Sequence, residues 1–308
     1  MVFLKNYSTT KNNWKLAMAK DIKIGIIGAG KVGVSIGFVL LKNGFRVVAI
    51  SDNEASALNN AYKFLGTKRH ITYTKDNMDV LNLSDVIILA IQDRVIRKVA
   101  NDFYLKAETL ENKVIAHTCG SMASDVLKPL DEKGAALGVI HPLQTFPDIE
   151  SAIEVIPETY FFIEASDKAK DVLEFIGKKI GKDTISIKAQ HMVMYHLSAV
   201  FVCNLLCALL YLGENVAKMI DIDLAPFFPI IKATLKNIEE KGPLHSLTGP
   251  IVRGDVETVI SHLKAIEDEK TIKAVYRDLS MVALQMAKKR GAIDEEIFKS
   301  MEDILRKD

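Results

Sequence analysis

The first chemistry legible in this chain lies in six residues. Gly28-Ala29-Gly30-Lys31-Val32-Gly33 is a Gly-x-Gly-x-x-Gly string. It follows the apolar run Ile22–Ile27 directly. It opens a segment of helical periodicity in which Val32, Ile36, Val39 and Leu40 share one side and Gly44 marks the end. That context makes a weak string a dinucleotide-binding turn. Gly28 would permit the tight turn, Gly30 the approach of a pyrophosphate to the backbone, and Gly33 the packing of helix on strand. The helix start offers unpaired N–H groups and a positive dipole end to the phosphates. Asp52 follows 19 residues after Gly33, at the end of the next strand. There an acid accepts the adenosine ribose hydroxyls and repels a 2′-phosphate, so the cofactor is expected to be NAD or NADP with a lean to NAD. Asp52 is equally placed to cap the helix that follows.

Ligands of such sheets bind beyond the strand C-termini, and polar residues gather there. Gln92 and Asp93 follow the fourth strand, with Asp93 expected to cap a helix. His117-Thr118-Cys119-Gly120-Ser121 follows the fifth, and His141-Pro142-Leu143-Gln144-Thr145-Phe146 the sixth. Hydride transfer to a carbonyl needs a proton donor within reach of the oxygen, and histidine suits the task near neutral pH. His141, fixed beside a proline, is the first candidate, although a histidine bonded to nearby backbone would fit the position too. Gln92 and Thr118 are placed for the cofactor, Ser121 and Gln144 for the substrate; Thr118 and Ser121 could equally satisfy loop backbone. In the later, helical half, His196 and Asn204 stand two turns apart on one helix face, facing either a substrate or a core. Arg253 lies in the turn-rich break Leu247–Asp255 and is suited to a carboxylate or phosphate, while Asp255 caps the next helix. His191 and His196 are poorly spaced for a shared metal, and no zinc-type motif is present.

The elements that must position these residues alternate. Strands are expected at Ile22–Ile27, Phe45–Ser51, Ile71–Thr74, Asp85–Ile91, Lys113–Thr118, Ala135–Ile140, Tyr160–Glu164 and Thr184–Ile187. Helical segments separate most of them, the pattern of βαβ units and a parallel sheet. After Gln190 the chain is helical. The fold class is therefore α/β: a Rossmann-type parallel-sheet domain over 21–190, then an all-α domain over 191–308 for substrate and dimerisation. Residues 1–20, polar and carrying the sole tryptophan, Trp14, are expected to be a flexible extension, with Met18 an alternative start.

Lysine plus arginine (40) balances aspartate plus glutamate (39), so composition offers no reason to expect a nucleic-acid partner. Three cysteines (Cys119, Cys203 and Cys207) do not make a disulfide framework and fit a reducing cytoplasm. Cys203 and Cys207, one turn apart in an apolar run, are expected to be small core residues. Met192–Leu212 is long and apolar enough to span a membrane, but His196, Ser198 and Asn204 would be costly in lipid. A helix buried on all sides, inside a dimer, is the expectation.

Several of these motifs together resemble one family: the Gly28–Gly33 loop, His117–Ser121, His141–Phe146, Tyr195-His196 with Asn204, and Leu247–Asp255. That family comprises bacterial Rossmann-like predicted oxidoreductases with a helical C-terminal domain of unknown function. It is similar to a branch of the β-hydroxyacid and 6-phosphogluconate dehydrogenase superfamily, with ketopantoate reductase, pyrroline-5-carboxylate reductase and prephenate dehydrogenase as relatives. The resemblance implies a dimer through the helical domain and an active site in the interdomain cleft. It departs where hydroxyacid enzymes place a lysine four residues before the asparagine: if Asn204 is that asparagine, the position holds Val200. His196 or His141 would then supply the acid. The expected activity is hydride transfer to or from a small oxo or hydroxy acid, ketopantoate-like by analogy. Imine reduction, prephenate-like dehydrogenation and a non-catalytic dinucleotide-binding regulator are the alternatives.

Overall fold

The β-branched runs of the N-terminal half form strands because their side chains can be buried on both faces of a sheet. Along β1 (Lys23–Ile27) the residues alternate between two cores. Ile24 and Ile26 join Ile50 and Ile88 on one face, and Ile27 joins Ala49, Ile87 and Leu89 on the other. Each such isoleucine or leucine, all but inaccessible to water, contributes about 1.5–3 kcal/mol by burial.

The computed structural model describes residues 21–66 and 70–307. The extension expected over 1–20, with Trp14 and Met18, lies outside the described residues. Contacts divide the chain into two compact units between Cys203 and Asn204.

The first unit carries an eight-stranded sheet of order β3-β2-β1-β4-β5-β6-β7-β8. The strands after β1 are β2 (Arg46–Ser51), β3 (Thr72–Thr74), β4 (Val86–Leu89), β5 (Val114–His117), β6 (Ala136–Pro142), β7 (Tyr160–Ala165) and β8 (Asp183–Ser186). Helices α1 (Lys31–Lys42), α2 (Ala55–Leu65), α3 (Asn77–Leu83), α4 (Asp93–Lys106), α5 (Ile149–Val155) and α6 (Asp167–Ile180) connect them, with a 3₁₀ segment at Ser124–Lys133. Pairing is parallel except between β6 and β7, which run antiparallel, while β8 runs parallel to β7. The sheet is parallel-dominant, as expected, with one reversal: the connection from β6 to β7 holds only α5 and a 3₁₀ turn at Ile156–Glu158 and begins and ends at the same edge of the sheet. As a result His141, at the end of β6, faces Phe162, near the start of β7.

Helix α7 (Met192–Val202) ends the first unit, and α8 (Asn204–Lys218) opens the second. Cys203 between them leaves helical geometry (φ −121°, ψ −71°). The single helix face expected to carry both His196 and Asn204 is therefore interrupted. Nor is this stretch buried on all sides within one chain. Of α7 only Met192 is buried, Val193 is 67% exposed and Phe201 61% exposed. Cys207 is exposed and Cys203 half-buried, not core residues of this chain. The segment 189–218 is long and apolar enough to cross a membrane by length and composition.

The second unit continues with α9 (Phe228–Ser246), kinked at Gly242, then α10 (Pro250–Arg253), α11 (Val256–Ala265), α12 (Lys270–Lys289) and α13 (Glu295–Arg306). Its core is small: Ile251, Val259, Leu263, Leu284, Met301 and Leu305. Beside it lies an apolar cavity of about 540 Å³ lined by Leu209, Val216, Phe227, Ile231, Val275 and Tyr276, among others.

Candidate active site

The glycine loop is shaped by close backbone approach. Gly28 has φ +104°, and a Cβ there would lie 2.2 Å from the Ala90 carbonyl oxygen. A Cβ on Gly33 would lie 2.0 Å from the Gly28 carbonyl oxygen, so only glycine lets α1 meet β1 this closely. Gly30 differs: nothing lies within 4 Å of where its Cβ would be. Open space above Gly30 and the unpaired N–H groups of Lys31, Val32 and Gly33 in the first turn form a cradle that fits a pyrophosphate. Ala29 donates its N–H to Asp52 Oδ2 at 2.8 Å, and Glu54 donates to Oδ1 at 2.9 Å. Asp52 thus binds the loop. The residue capping α2 is Glu54, not Asp52.

At the end of β6, His141 Nδ1 lies 2.6 Å from the Tyr195 hydroxyl. Tyr195 stacks on Phe162 with centroids 3.9 Å apart and planes at 25°. Phe162 is also the cross-strand partner of His141. Strand pairing, ring stacking and a hydrogen bond therefore close a triangle that fixes the imidazole. Gly120 completes the seat. A Cβ there would stand 2.7 Å from His141 Nε2 and 2.9 Å from both neighbouring ring carbons. Distances so nearly equal place that carbon over the ring face, and among the described residues no hydrogen bond is made to Nε2. Burial, then the neighbouring His196, pushes the His141 imidazole down to about 4, against a smaller opposing pull from Asp93. Burial pushes the Tyr195 hydroxyl up. Both groups are neutral near pH 7.

The adjoining loop is tied from beneath. His117, fully buried, accepts the Cys119 N–H at Nδ1 (3.2 Å) and faces the Ala123 carbonyl with Nε2 (3.2 Å). Only a neutral ring protonated at Nε2 satisfies both partners, and burial lowers the His117 pKa accordingly. Ser124 donates its N–H to Glu164 on β7 at 2.7 Å. Cys119 Sγ and Ser121 Oγ are 3.2 Å apart, and burial raises the thiol pKa, which disfavours a nucleophilic thiolate.

The structure brings His141, His196, Thr118 and Ser121 to one unit together with the glycine loop. Thr118 donates its N–H to the Leu89 carbonyl at 3.1 Å, a structural tie. Gln92 caps α4 by position and accepts from Arg94 Nε, whereas Asp93 is the first helical residue and not the cap expected. The Gln144 amide oxygen accepts the Thr145 N–H at 2.9 Å, so this side chain shapes its own loop. Asn204 opens α8 and Arg253 closes α10; both belong to the second unit and are exposed. Asp255 caps α11 through the Thr258 N–H, as expected. Among the described residues no group of three or more metal-ligating side chains converges. Sequence reasoning missed Tyr195 and the clamp by His117. Tyr195 was visible only as the neighbour of His196 in a shared motif, and His117 only as the start of His-Thr-Cys-Gly-Ser.

Comparison with known proteins agrees with this architecture. Residues 8–142 match a Rossmann-like domain, and residues 159–282 match the domain of unknown function DUF2520. The two matches follow one another along the chain, the Rossmann-like domain first and the DUF2520 domain second. Among solved structures, a Bacteroides fragilis protein named as an NADP oxidoreductase is 23% identical, with TM-score 0.71, covering 87% of this chain and 99% of its own. A Thermotoga maritima protein is 22% identical, with TM-score 0.68 and the same coverages. The reductive aminase of Aspergillus terreus, in complex with NADPH and ethyl levulinate, is 12% identical, with TM-score 0.59 and 92% of each chain covered. At these identities the likeness establishes the fold. A search of curated proteins finds no match.

Proposed function

We propose that this protein is an NAD(P)-dependent oxidoreductase acting on a small oxo or hydroxy acid, with NAD(H) preferred. The observation that supports this reading most directly is His141, held at a strand end of the Rossmann-like sheet with Nδ1 engaged by Tyr195 and Nε2 without a hydrogen-bond partner among the described residues. Gly28, Ala29, Gly30, Lys31, Val32 and Gly33 would hold the pyrophosphate, and the Asp52 carboxylate, beside Glu54, disfavours a 2′-phosphate. A bound nicotinamide supplies or accepts the hydride. His141 binds the reacting oxygen, Ser121 lies on the adjoining loop, and His196 tunes His141 by its proximity. The candidates Asn204 and Arg253 lie in the second unit and are suited by residue type to a substrate, an amide to hydroxyls and a guanidinium to a carboxylate.

Reduction of a C=N bond is the second reading, favoured by the likeness in fold to a reductive aminase. We further propose a soluble cytoplasmic homodimer, in which a second copy covers the exposed apolar side chains of α7 and the apolar cavity of the helical unit.

Calorimetric titration with NADH and with NADPH, followed by turnover on a panel of 2-oxo acids and imines, tests the reading. NADH binding and turnover abolished by His141→Ala would support it. Cofactor binding without turnover on any substrate would favour the regulator, and binding of neither cofactor would refute the assignment.

A further inference from the structure

We infer that Tyr195 holds His141 as its Nε2–H tautomer, making it a hydrogen-bond donor that selects substrates with an acceptor atom at the reacting carbon. Such atoms are a carbonyl oxygen or an unprotonated imine nitrogen. An iminium cation, which presents N–H, would be refused.

One proton occupies the 2.6 Å contact between Tyr195 Oη and His141 Nδ1. Either the phenol donates to the ring nitrogen or the ring N–H donates to the phenol oxygen. The two arrangements are not equivalent chemically. A phenol, with pKa about 10, is a much better donor than a neutral imidazole N–H, and an imidazole nitrogen, with pKa about 6.5, is a much better base than a phenol oxygen. The reverse arrangement would also leave a half-buried hydroxyl proton without an acceptor among the described residues. Phe162 keeps the geometry from drifting, since it pairs with His141 across the ladder and stacks on Tyr195. Other charged or titratable groups that bear on His141 are His196 on α7, Asp93 on α4 and His117 on β5. None is bonded to Nδ1.

With Nδ1 filled, the neutral ring carries its proton at Nε2, which makes no hydrogen bond among the described residues. A neutral imidazole N–H can act as the electrophile that polarises a carbonyl. When the carbonyl carbon has been reduced, its oxygen is an alkoxide. The Nε2 proton passes to that oxygen and the Tyr195 proton follows to Nδ1. One O–H forms on the product and one breaks at Tyr195; the tyrosinate then takes its proton back from Nδ1 as a water proton returns to Nε2, which restores the starting tautomer. Tyr195 is thus a positioning residue that also relays the proton.

The use in catalysis rests on the oxidoreductase reading, but the tautomer does not, and this separates the two in experiment. Long-range ¹H–¹⁵N spectra of the full chain labelled in histidine report which ring nitrogen carries the proton, with His141→Gln assigning the signal. The expected result near pH 7 is an unprotonated Nδ1 and a protonated Nε2 at His141, and a mixture of tautomers in Tyr195→Phe. A protonated Nδ1 in the wild type would overturn the inference, and the wild-type spectrum decides this even if the variant fails to fold. With a substrate in hand, Tyr195→Phe should lower kcat roughly 10²-fold on carbonyl substrates with KM little changed, and carbonyls should be turned over in preference to preformed iminium ions. The opposite preference would defeat the selectivity claim, while absence of turnover on every substrate would defeat the oxidoreductase reading and leave the tautomer standing.

Discussion

Asp52 Oδ2 accepts the Ala29 N–H at 2.8 Å, so the acid at the end of β2 braces the phosphate loop from a neighbouring strand. Its second oxygen accepts from Glu54. Asp52→Ala removes an acceptor from two amides. It should lower stability by about 3–4 kcal/mol in urea unfolding, taking about 1.5–2 kcal/mol for each charge-assisted bond. Asp52→Asn keeps one acceptor and sheds the charge. It should shift preference from NADH toward NADPH, and an unchanged ratio of dissociation constants would remove Asp52 from cofactor choice.

Gly33→Ala places a methyl against the Gly28 carbonyl, which cannot move without reshaping the loop. Strain of about 3 kcal/mol corresponds to roughly 100-fold weaker NADH binding, at 1.4 kcal/mol per tenfold. Fluorescence titration with NADH measures it. Gly30→Ala, where space is open, should leave the fold intact and weaken only ligand binding.

Gly120→Ala drives a methyl onto the face of His141. The chain should fold, the ring should tilt away from Tyr195, and turnover should fall on the order of 10²-fold, in the range set by losing one acid–base group. Retention of full turnover would show that the position of His141 is immaterial to the reaction.

Folding holds His141 neutral at pH values where the unfolded chain would protonate it. Its pKa falls from 6.5 to about 4 on folding, so the unfolded state binds the extra proton between those values. Stability should fall as pH drops from 6.5 toward 4 and flatten below, by on the order of 3 kcal/mol for this residue. His117, also lowered by burial, acts in the same direction. Urea midpoints of wild type and His141→Gln should converge on acidification. Parallel curves would show that His141 is not the group responsible.

Sedimentation should give a particle of twice 34.2 kDa. Charging the apolar face with Val193→Glu and Phe201→Glu should shift it to the monomer or render it insoluble. A monomeric wild type would show that the apolar surface of α7 has another partner.

All eight strands were legible, because short β-branched runs ending in glycine or polar residues admit few other structures. The glycine loop was legible because each glycine answers a separate steric demand. The reversal of β7 was not, since local alternation carries no information about strand direction. The break at Cys203 escaped notice because neither glycine nor proline marks it. Tyr195 sits in a helix apolar on every side, where a functional phenol reads like one more large side chain. Its role appears only when Phe162, a distant strand residue, is brought beneath it.

The seat of His141 also bears on how this protein can change over time. Positions 120 and 141 share one volume: as long as 141 carries a ring seated on Tyr195, any side chain at 120 displaces it. A lineage that replaced the histidine with a small residue would free position 120 to acquire a side chain, and the return path would then be closed until that side chain was lost. The two positions should therefore vary together among relatives, with glycine at 120 tracking an aromatic ring at 141, and a relative lacking both should have left the chemistry proposed here.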